Sequence, residues 1–277
     1  MPELPEVETV RRGVAGAFAG REIIAVTAGG GRTTRRHSDV KAFVGRCQGQ
    51  VVESVDRRGK YLLLRLGSGD VVVVHLGMSG QLLRGGVLDP PVRHTHVEWS
   101  FAGGTQLRFV DPRTFGEVFV TRADAGGAVP ELALLGPDAL EGLPRWSSLA
   151  AVLVGRSGRL KPLLLDQHRL AGIGNIYADE ILFAARLAGD RRADSLSSAE
   201  VRRLHAAITG ILEAAVAHRG SSLSDAQYRD VDGAVGDYQL HHAVYAREGQ
   251  PCLRCGRPIS RRRERGRSSF SCPRCQR

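Results

Sequence analysis

At 277 residues the chain is long enough to bury a sizeable core, and two domains with an appendage are expected. Its formal net charge is +10 and its pI near 10.0, the footprint of a polyanion binder. No run of about 18 apolar residues occurs and the N-terminus has no basic-then-apolar signal, which argues against a membrane span or secretory leader and for a cytoplasmic protein.

The chain opens MPELPEVETV, with prolines and acids crowded into its first residues. Leu4, Val7, Val10, Val14 and Phe18 then fall three or four apart, which predicts a helix closed by Gly20. Proline is tolerated in a first helical turn, and acids there suit the positive end of the helix dipole. Short β-rich runs follow at 51–55, 61–66, 71–76, 96–101, 106–110 and 117–121, separated by turn signals such as GSGD and AGG. They predict an antiparallel sandwich or barrel. Around 122–145 the composition shifts to Ala, Gly and Pro. Helical periodicity returns over 146–217, and 219–240 is a loop rich in Gly, Ser and Asp. The expected division is an N-terminal domain over 1–130, a linker over 131–145, a helical domain over 146–246 and a small unit over 247–277.

That last unit holds ten arginines against Glu248 and Glu264. It also holds Cys252-x-x-Cys255 and Cys272-x-x-Cys275, separated by 16 residues. Each pair puts two thiolates on one tight turn, and together they close a tetrahedral site for one structural zinc ion with no open position. The unit is too short to have a core of its own, so metal binding is expected to supply its folding energy. Six arginines lie between the pairs, in a stretch that also contains Phe270, a pattern suited to nucleic-acid phosphates. Cys47 reads as a buried small apolar residue. Of the 39 basic residues only Lys41, Lys60 and Lys161 are lysines, which suggests sites where a compact ammonium is needed.

Six strings occur in order: MPELPEVET, GKYLLL around Lys60, HLGMSG around Met78, DPRTFG around Arg113, GIGNIYADE around Asn175 and RSSFSCPRC. Together they resemble the formamidopyrimidine-DNA glycosylase family, along essentially the whole chain. The resemblance implies an α+β, multidomain fold: an N-terminal helix packed on an antiparallel β-sandwich, a helical domain with a helix–two-turns–helix, and a C-terminal β-hairpin zinc finger. It implies a monomeric bifunctional glycosylase and lyase of base excision repair. The partner is double-stranded DNA containing an oxidised purine or an abasic site.

The resemblance also gives the opening a chemical reading. With Met1 removed, Pro2 presents an α-amine, whose ordinary pKa of about 7.7–8.0 leaves far more of it unprotonated at neutral pH than a lysine at about 10.4. Such an amine can form a Schiff base. The resemblance makes Pro2 the nucleophile and Glu3 the proton donor to the sugar ring oxygen. Glu6, one turn on, is read either as orienting that pair or as a solvated surface acid, and Lys60 is expected near the lesion and its phosphate. Met78, Arg113 and Phe115 are expected to enter the duplex where a base is flipped out. Lys161, Asn175 and Arg267 are expected on phosphates. The 219–240 loop, which in the family covers the flipped purine, departs from the family pattern: Arg219, and likewise Ala246 further on, stand where glycine is usual. Ser222 and Tyr238 are the contributors expected there. Two alternatives stay open, a sister enzyme similar to endonuclease VIII that acts on oxidised pyrimidines, and a non-catalytic DNA-binding zinc protein. The LPEVET wording and the long loop favour the purine enzyme.

Overall fold

The computed structural model describes residues 1–124, 127–143, 145–153, 155, 157–223, 228–264 and 266–277, residue 264 by its backbone alone. The expected lesion-covering loop therefore lies partly, at 224–227, outside the described residues. The chain divides into two compact units, Met1–Ala133 with His218–Asp237, and Leu134–Ala217 with Tyr238–Arg277. Chain order alone does not reveal that His218–Asp237 returns to the first unit. Among the described residues no helix is long and apolar enough to cross a membrane.

The first unit begins with helix α1 (Leu4–Phe18). Its apolar stripe, Leu4, Val7, Val10, Val14 and Phe18, is fully buried, and each such side chain contributes about 2 kcal/mol by leaving water. The stripe packs into one core with two four-stranded antiparallel sheets. One sheet joins β2 (Val52–Arg58), β3 (Tyr61–Leu66), β4 (Asp70–His75) and β8 (Glu117–Arg122) in that order. The other runs β1 (Ile23–Ala28), β6 (Thr95–Phe101), β7 (Thr105–Val110) and β5 (Gln81–Gly86). Strands β1 and β5 and the short helix α2 (Val40–Cys47) go beyond the elements expected from the sequence. Both strands are edges and much of each faces solvent; β5 ends in two glycines and lacks the dense apolar pattern of inner strands, whereas β1 reads IIAVTA and does carry an apolar run. Cys47 lies in the core as expected, and burial pushes its thiol up to about 12.

Register fixes what the first sheet presents at one end. Tyr61 pairs with His75 and His75 with Glu117, so the start of β3, the end of β4 and the start of β8 lie side by side. Lys60, the Met78 turn and the Arg113–Phe115 turn all flank that end.

The second unit contains α3 (Trp146–Leu153), α4 (Leu160–Leu165), α5 (Asn175–Ala185), α6 (Ser198–Ala217) and the hairpin β9 (Ser260–Glu264)–β10 (Arg267–Ser271). Helix α5 is buried on nearly every side, including its two acids Asp179 and Glu180. Glu180 accepts backbone N–H bonds from Ala243, Val244 and Tyr245 at 2.8, 2.9 and 2.8 Å. The cysteine unit borrows core from the same helix: Phe183 packs with Val244, Cys252, Ile259, Phe270 and Cys272. Arg254 donates to the carbonyls of Phe183 and Ala184 at 2.6 and 3.3 Å, a cation on the negative end of α5. The small unit thus draws stability from α5 as well as from metal.

Glu180→Gln is expected to destabilise the fold by about 2–3 kcal/mol. The amide would turn a donor toward one of three N–H groups that need an acceptor. Urea unfolding checks this, and an unchanged midpoint would show that the carboxylate does not hold residues 243–245.

Candidate functional site

The chain start is enclosed. Met1 is about half exposed, but Pro2 is buried and Glu3 and Glu6 are 2% and 1% exposed. Glu3 caps α1, and its backbone N–H donates to Glu6 Oε2 at 2.7 Å, half of a capping box. Glu6 Oε1 accepts the backbone N–H of Ser221, also at 2.7 Å. One buried carboxylate therefore ties the residue next to Pro2 to the start of the 219–240 loop.

This contact demands glycine at 220. Gly220 has φ +78°, and a Cβ there would lie 2.6 Å from Glu6 Oε1. The described parts of the loop are fastened to themselves and to α1. Ser222 Oγ donates to Tyr228 O at 3.2 Å and accepts the Gly236 N–H at 3.0 Å. The Tyr228 hydroxyl donates to Arg219 O at 3.0 Å, and Arg219 pairs with Asp230. Val231 fills the space where Gly13 of α1 has no side chain. Arg219 and Ala246, the two departures from glycine, both adopt left-handed backbone, φ +59° in each case.

Lys60 is 7% exposed and follows Gly59, which turns with φ +58°. Arg57, its side chain 1% exposed, donates to Gly59 O and to Glu8 Oε2, both at 3.1 Å. Glu8 also takes Arg11 and Arg12. Burial pushes the Glu8 carboxyl up, but those guanidiniums outweigh it and hold the group at about 2. Through Glu8 and Arg57 the Lys60 turn is fixed to the helix that carries Pro2 and Glu3. His75 lies beside it, 4.7 Å from the Tyr61 ring, and its Nδ1 accepts the Gly77 N–H at 3.2 Å. Burial, then the Lys60 ammonium, depresses His75 to about 4.

The Met78 and Phe115 turns meet backbone to backbone. A Cβ on Gly77, φ +62°, would stand 2.5 Å from the Phe115 carbonyl carbon. Asp111, fully buried, organises the second turn by accepting from Ser79 Oγ at 2.5 Å, Arg113 N at 3.2 Å and Gly116 N at 2.7 Å. Met78 and Phe115 are each left 40% exposed, and the Arg113 guanidinium lies 5.1 Å from the Phe115 ring centre. Two large apolar side chains and a guanidinium thus project from one end of the sheet, an arrangement able to wedge and replace a base.

In the second unit Lys161, Asn175 and Arg267 converge on β10. Lys161 Nζ lies 2.7 Å from Asp179 Oδ1 and donates to Ser269 Oγ at 2.7 Å and Ser268 O at 3.2 Å. It is 5% exposed, yet it also lines the cleft that Arg267 borders. Burial pushes the Asp179 carboxyl up to about 7 against the pull of this ammonium. Asn175, at the start of α5, donates from Nδ2 to Ser268 O at 3.0 Å, while its buried Oδ1 meets no partner. Arg267 is exposed and lines an open cleft with Arg159, Lys161 and Ser269.

The four cysteines bring their sulfurs within 4.8 Å of one another. Tetrahedral Zn–S bonds of about 2.3 Å require S···S separations near 3.8 Å, and Cys252–Cys275 and Cys255–Cys272 stand at 3.9 and 3.5 Å. Backbone N–H groups of Arg254 and Cys275 point at the sulfurs of Cys252 and Cys272, both at 3.4 Å, as thiolates bound to a cation would need. The set fits one structural zinc ion. Sequence reasoning left Glu8, Arg57, Asp111 and Glu180 without roles, and Glu3-x-x-Glu6 was the one unused signal, a capping-box spacing.

Gly220→Ala is expected to cost about 3 kcal/mol, from the left-handed backbone and the clash with Glu6. Gly233→Ala, with φ +80° but open space around it, should cost only about 1 kcal/mol. Equal losses in urea unfolding would remove the Glu6 contact from the account. His75 is depressed when folded, so the unfolded chain takes its proton first and stability falls as pH drops from about 6.5 through 4. In His75→Asn, which keeps an acceptor for Gly77, unfolding free energy should fall less steeply across that window; an identical slope would contradict a neutral, buried His75.

Three family models match the chain in succession: the formamidopyrimidine-DNA glycosylase N-terminal domain over residues 1–118, the formamidopyrimidine-DNA glycosylase H2TH domain over 135–227, and a zinc finger found in FPG and IleRS over 249–277. The formamidopyrimidine-DNA glycosylase of Salinispora arenicola is 47% identical over 282 residues, covering all of this chain and 96% of that one. That of Pelotomaculum thermopropionicum is 42% identical over 276 residues, covering all of this chain and 99% of its own. Among solved structures, the MutM (Fpg) protein of Thermus thermophilus superposes with a TM-score of 0.87 at 42% identity, over 99% of this chain and 98% of that one. A Lactococcus lactis Fpg in complex with DNA containing an abasic site gives 0.89 at 31% identity, over 99% of both chains. With likeness of this extent from end to end, the chain belongs to the formamidopyrimidine-DNA glycosylase family.

Proposed function

We propose that the chain excises oxidised purines, 8-oxoguanine and formamidopyrimidines, from duplex DNA and then cuts the strand, with the Pro2 amine as nucleophile. The carrying observation is the enclosed chain start, where Pro2 and Glu3 are buried together at the head of α1 and tied through Glu6 to the loop at Ser221. Once Met1 is removed, the Pro2 nitrogen attacks the anomeric carbon, and the electrons of the glycosidic bond leave with the base. Glu3 protonates the ring oxygen so that the sugar opens, and the nitrogen gives up its proton to become an iminium cation. That cation draws electrons from the sugar through two eliminations, expelling first the 3′ and then the 5′ phosphate. Lys60, held on its turn by Arg57, supplies positive charge near the lesion and its phosphate. Met78, Arg113 and Phe115 fill the space left by the flipped nucleotide.

In the second unit, Arg267 and the Asn175 amide hold phosphates. Lys161 contributes by bracing β10 from below, a role its burial supports better than direct contact. The zinc ion keeps the finger in shape and takes no part in the chemistry. The functional division follows residues 1–130, 146–246 and 247–277, with 131–145 as linker. The protein acts as a monomer in the cytoplasm, on nucleoid DNA.

Borohydride trapping on a duplex with one 8-oxoguanine opposite cytosine tests this reading. A cross-link is expected on a peptide beginning at a free Pro2, and Pro2→Gly should lower trapping at least tenfold while duplex binding persists. Unchanged trapping in Pro2→Gly would remove the nucleophile assignment, and trapping confined to an oxidised-pyrimidine duplex would favour the sister specificity.

A further inference from the structure

We propose that Arg32 is a DNA-phosphate contact beside the Phe115 wedge, an extension that rests on the glycosylase reading above. Residues 29–37 read GGGRTTRRH and lie outside the six strings that carry the family resemblance. In the fold they form a short turn built against the same sheet end that presents Met78 and Phe115. Gly31 turns with φ +103°, Gly29 N–H donates to His96 O at 2.9 Å, and His37 N–H donates to Thr34 O at 2.9 Å. Thr33 and Thr34 are 1% exposed and face inward. His37 Nε2 accepts the Val120 N–H at 3.0 Å, fastening the far side of the segment to β8.

With its threonines inside, the segment turns its arginines outward. Arg35 donates to Gly116 O at 3.3 Å, in the Phe115 turn itself, and pairs with Glu117. Arg36 pairs with the same Glu117 at 2.8 Å and lies over the Phe119 ring. Arg32 differs from both. Its guanidinium lies 5.4 Å from the centre of the Phe115 ring, and among the described residues no carboxylate pairs with it. Arg113 sits on the same ring at 5.1 Å. Arg32 and Arg113 thus flank one exposed aromatic ring, while Arg35 and Arg36 are held next to it by Glu117.

An exposed aromatic ring flanked by an unpaired guanidinium suits a site where a base step is opened and its phosphates run alongside. Arg32 can stack on the wedge and reach an adjacent phosphate at once, because a guanidinium has both a flat face and five donors. The occupant is the DNA backbone, since an acidic protein surface would have no use for the exposed wedge beside it.

The test is fluorescence anisotropy on a duplex carrying a tetrahydrofuran abasic-site analogue, titrated over a range of salt. Arg32→Ala should weaken binding roughly threefold to tenfold and reduce the slope of log K against log salt by about 0.9, one phosphate's worth. Arg32→Lys should restore the slope but not the full affinity, because the ammonium does not stack. A wild-type slope in Arg32→Ala would overturn the contact. So would an equal slope change in Arg122→Ala, a charge removed from the other end of β8. Failure of the wild-type protein to prefer the analogue duplex over undamaged DNA would instead sink the glycosylase reading on which the proposal rests.

Discussion

A single carboxylate holds the chain start of the first unit in place. Glu6 is 1% exposed and accepts two short backbone N–H bonds, one from Glu3 and one from Ser221, 215 residues away in sequence. Bonds to a charged acceptor are worth about 1.5–3 kcal/mol each, and a buried carboxylate without them would be costly. Neither partner can therefore drift without leaving a charge unsatisfied. The chain start, which in most proteins frays, is here fixed to a loop by the strongest kind of hydrogen bond available. Gly220 completes the device, since any side chain there would displace Glu6.

The same use of acids recurs through the molecule and explains its surface. Asp111 accepts two backbone N–H groups and a hydroxyl, Glu180 three backbone N–H groups, and Asp179 the Phe270 N–H and the Lys161 ammonium. These carboxylates lie inside, shaping turns. Arg32, Arg113 and Arg267 remain exposed and without carboxylate partners among the described residues. Exposed arginines without a carboxylate beside them give a local field that attracts polyanions at the Phe115 turn and at the Arg267 cleft.

What was legible in the sequence follows from how local each signal is. The α1 stripe, the inner strands and the paired cysteines are short-range patterns, and each is where its spacing predicts. Edge strand β5 carries a weak signal, because a half-exposed strand ending in two glycines lacks apolar density, whereas β1, IIAVTA, has an apolar run that the expected elements left out. The motif residues fall into groups by the same logic. Met78 and Phe115 come from different strings, yet meet because Gly77 lets two turns touch. Lys161 is 5% exposed against Asp179, a pairing no local pattern announces because the partner lies 18 residues on. Arg57 and Glu8 were silent for a like reason: their pairing joins a helix to a strand. Arg32 carried no signal at all until the fold put it beside Phe115.

Arg219 and Ala246 show why a departure from a family pattern need not change a backbone. Glycine is the residue that adopts positive φ freely, and an L-residue there costs about 1–2 kcal/mol. Both positions nevertheless stand at φ +59°, so the path a glycine would favour is kept. At 219 the neighbours hold it: Tyr228 donates to the Arg219 carbonyl and Asp230 pairs with its guanidinium. At 246 the preceding three residues are pinned by Glu180, and Arg247 N–H closes a turn onto Val244 O at 3.1 Å. Strain of this size persists only where the surroundings over-determine the conformation, and here they do. The side chain gained at 219 then acts on the loop's stiffness rather than on its course. It adds an ion pair from the start of the loop to its middle, at Asp230, that glycine could not make.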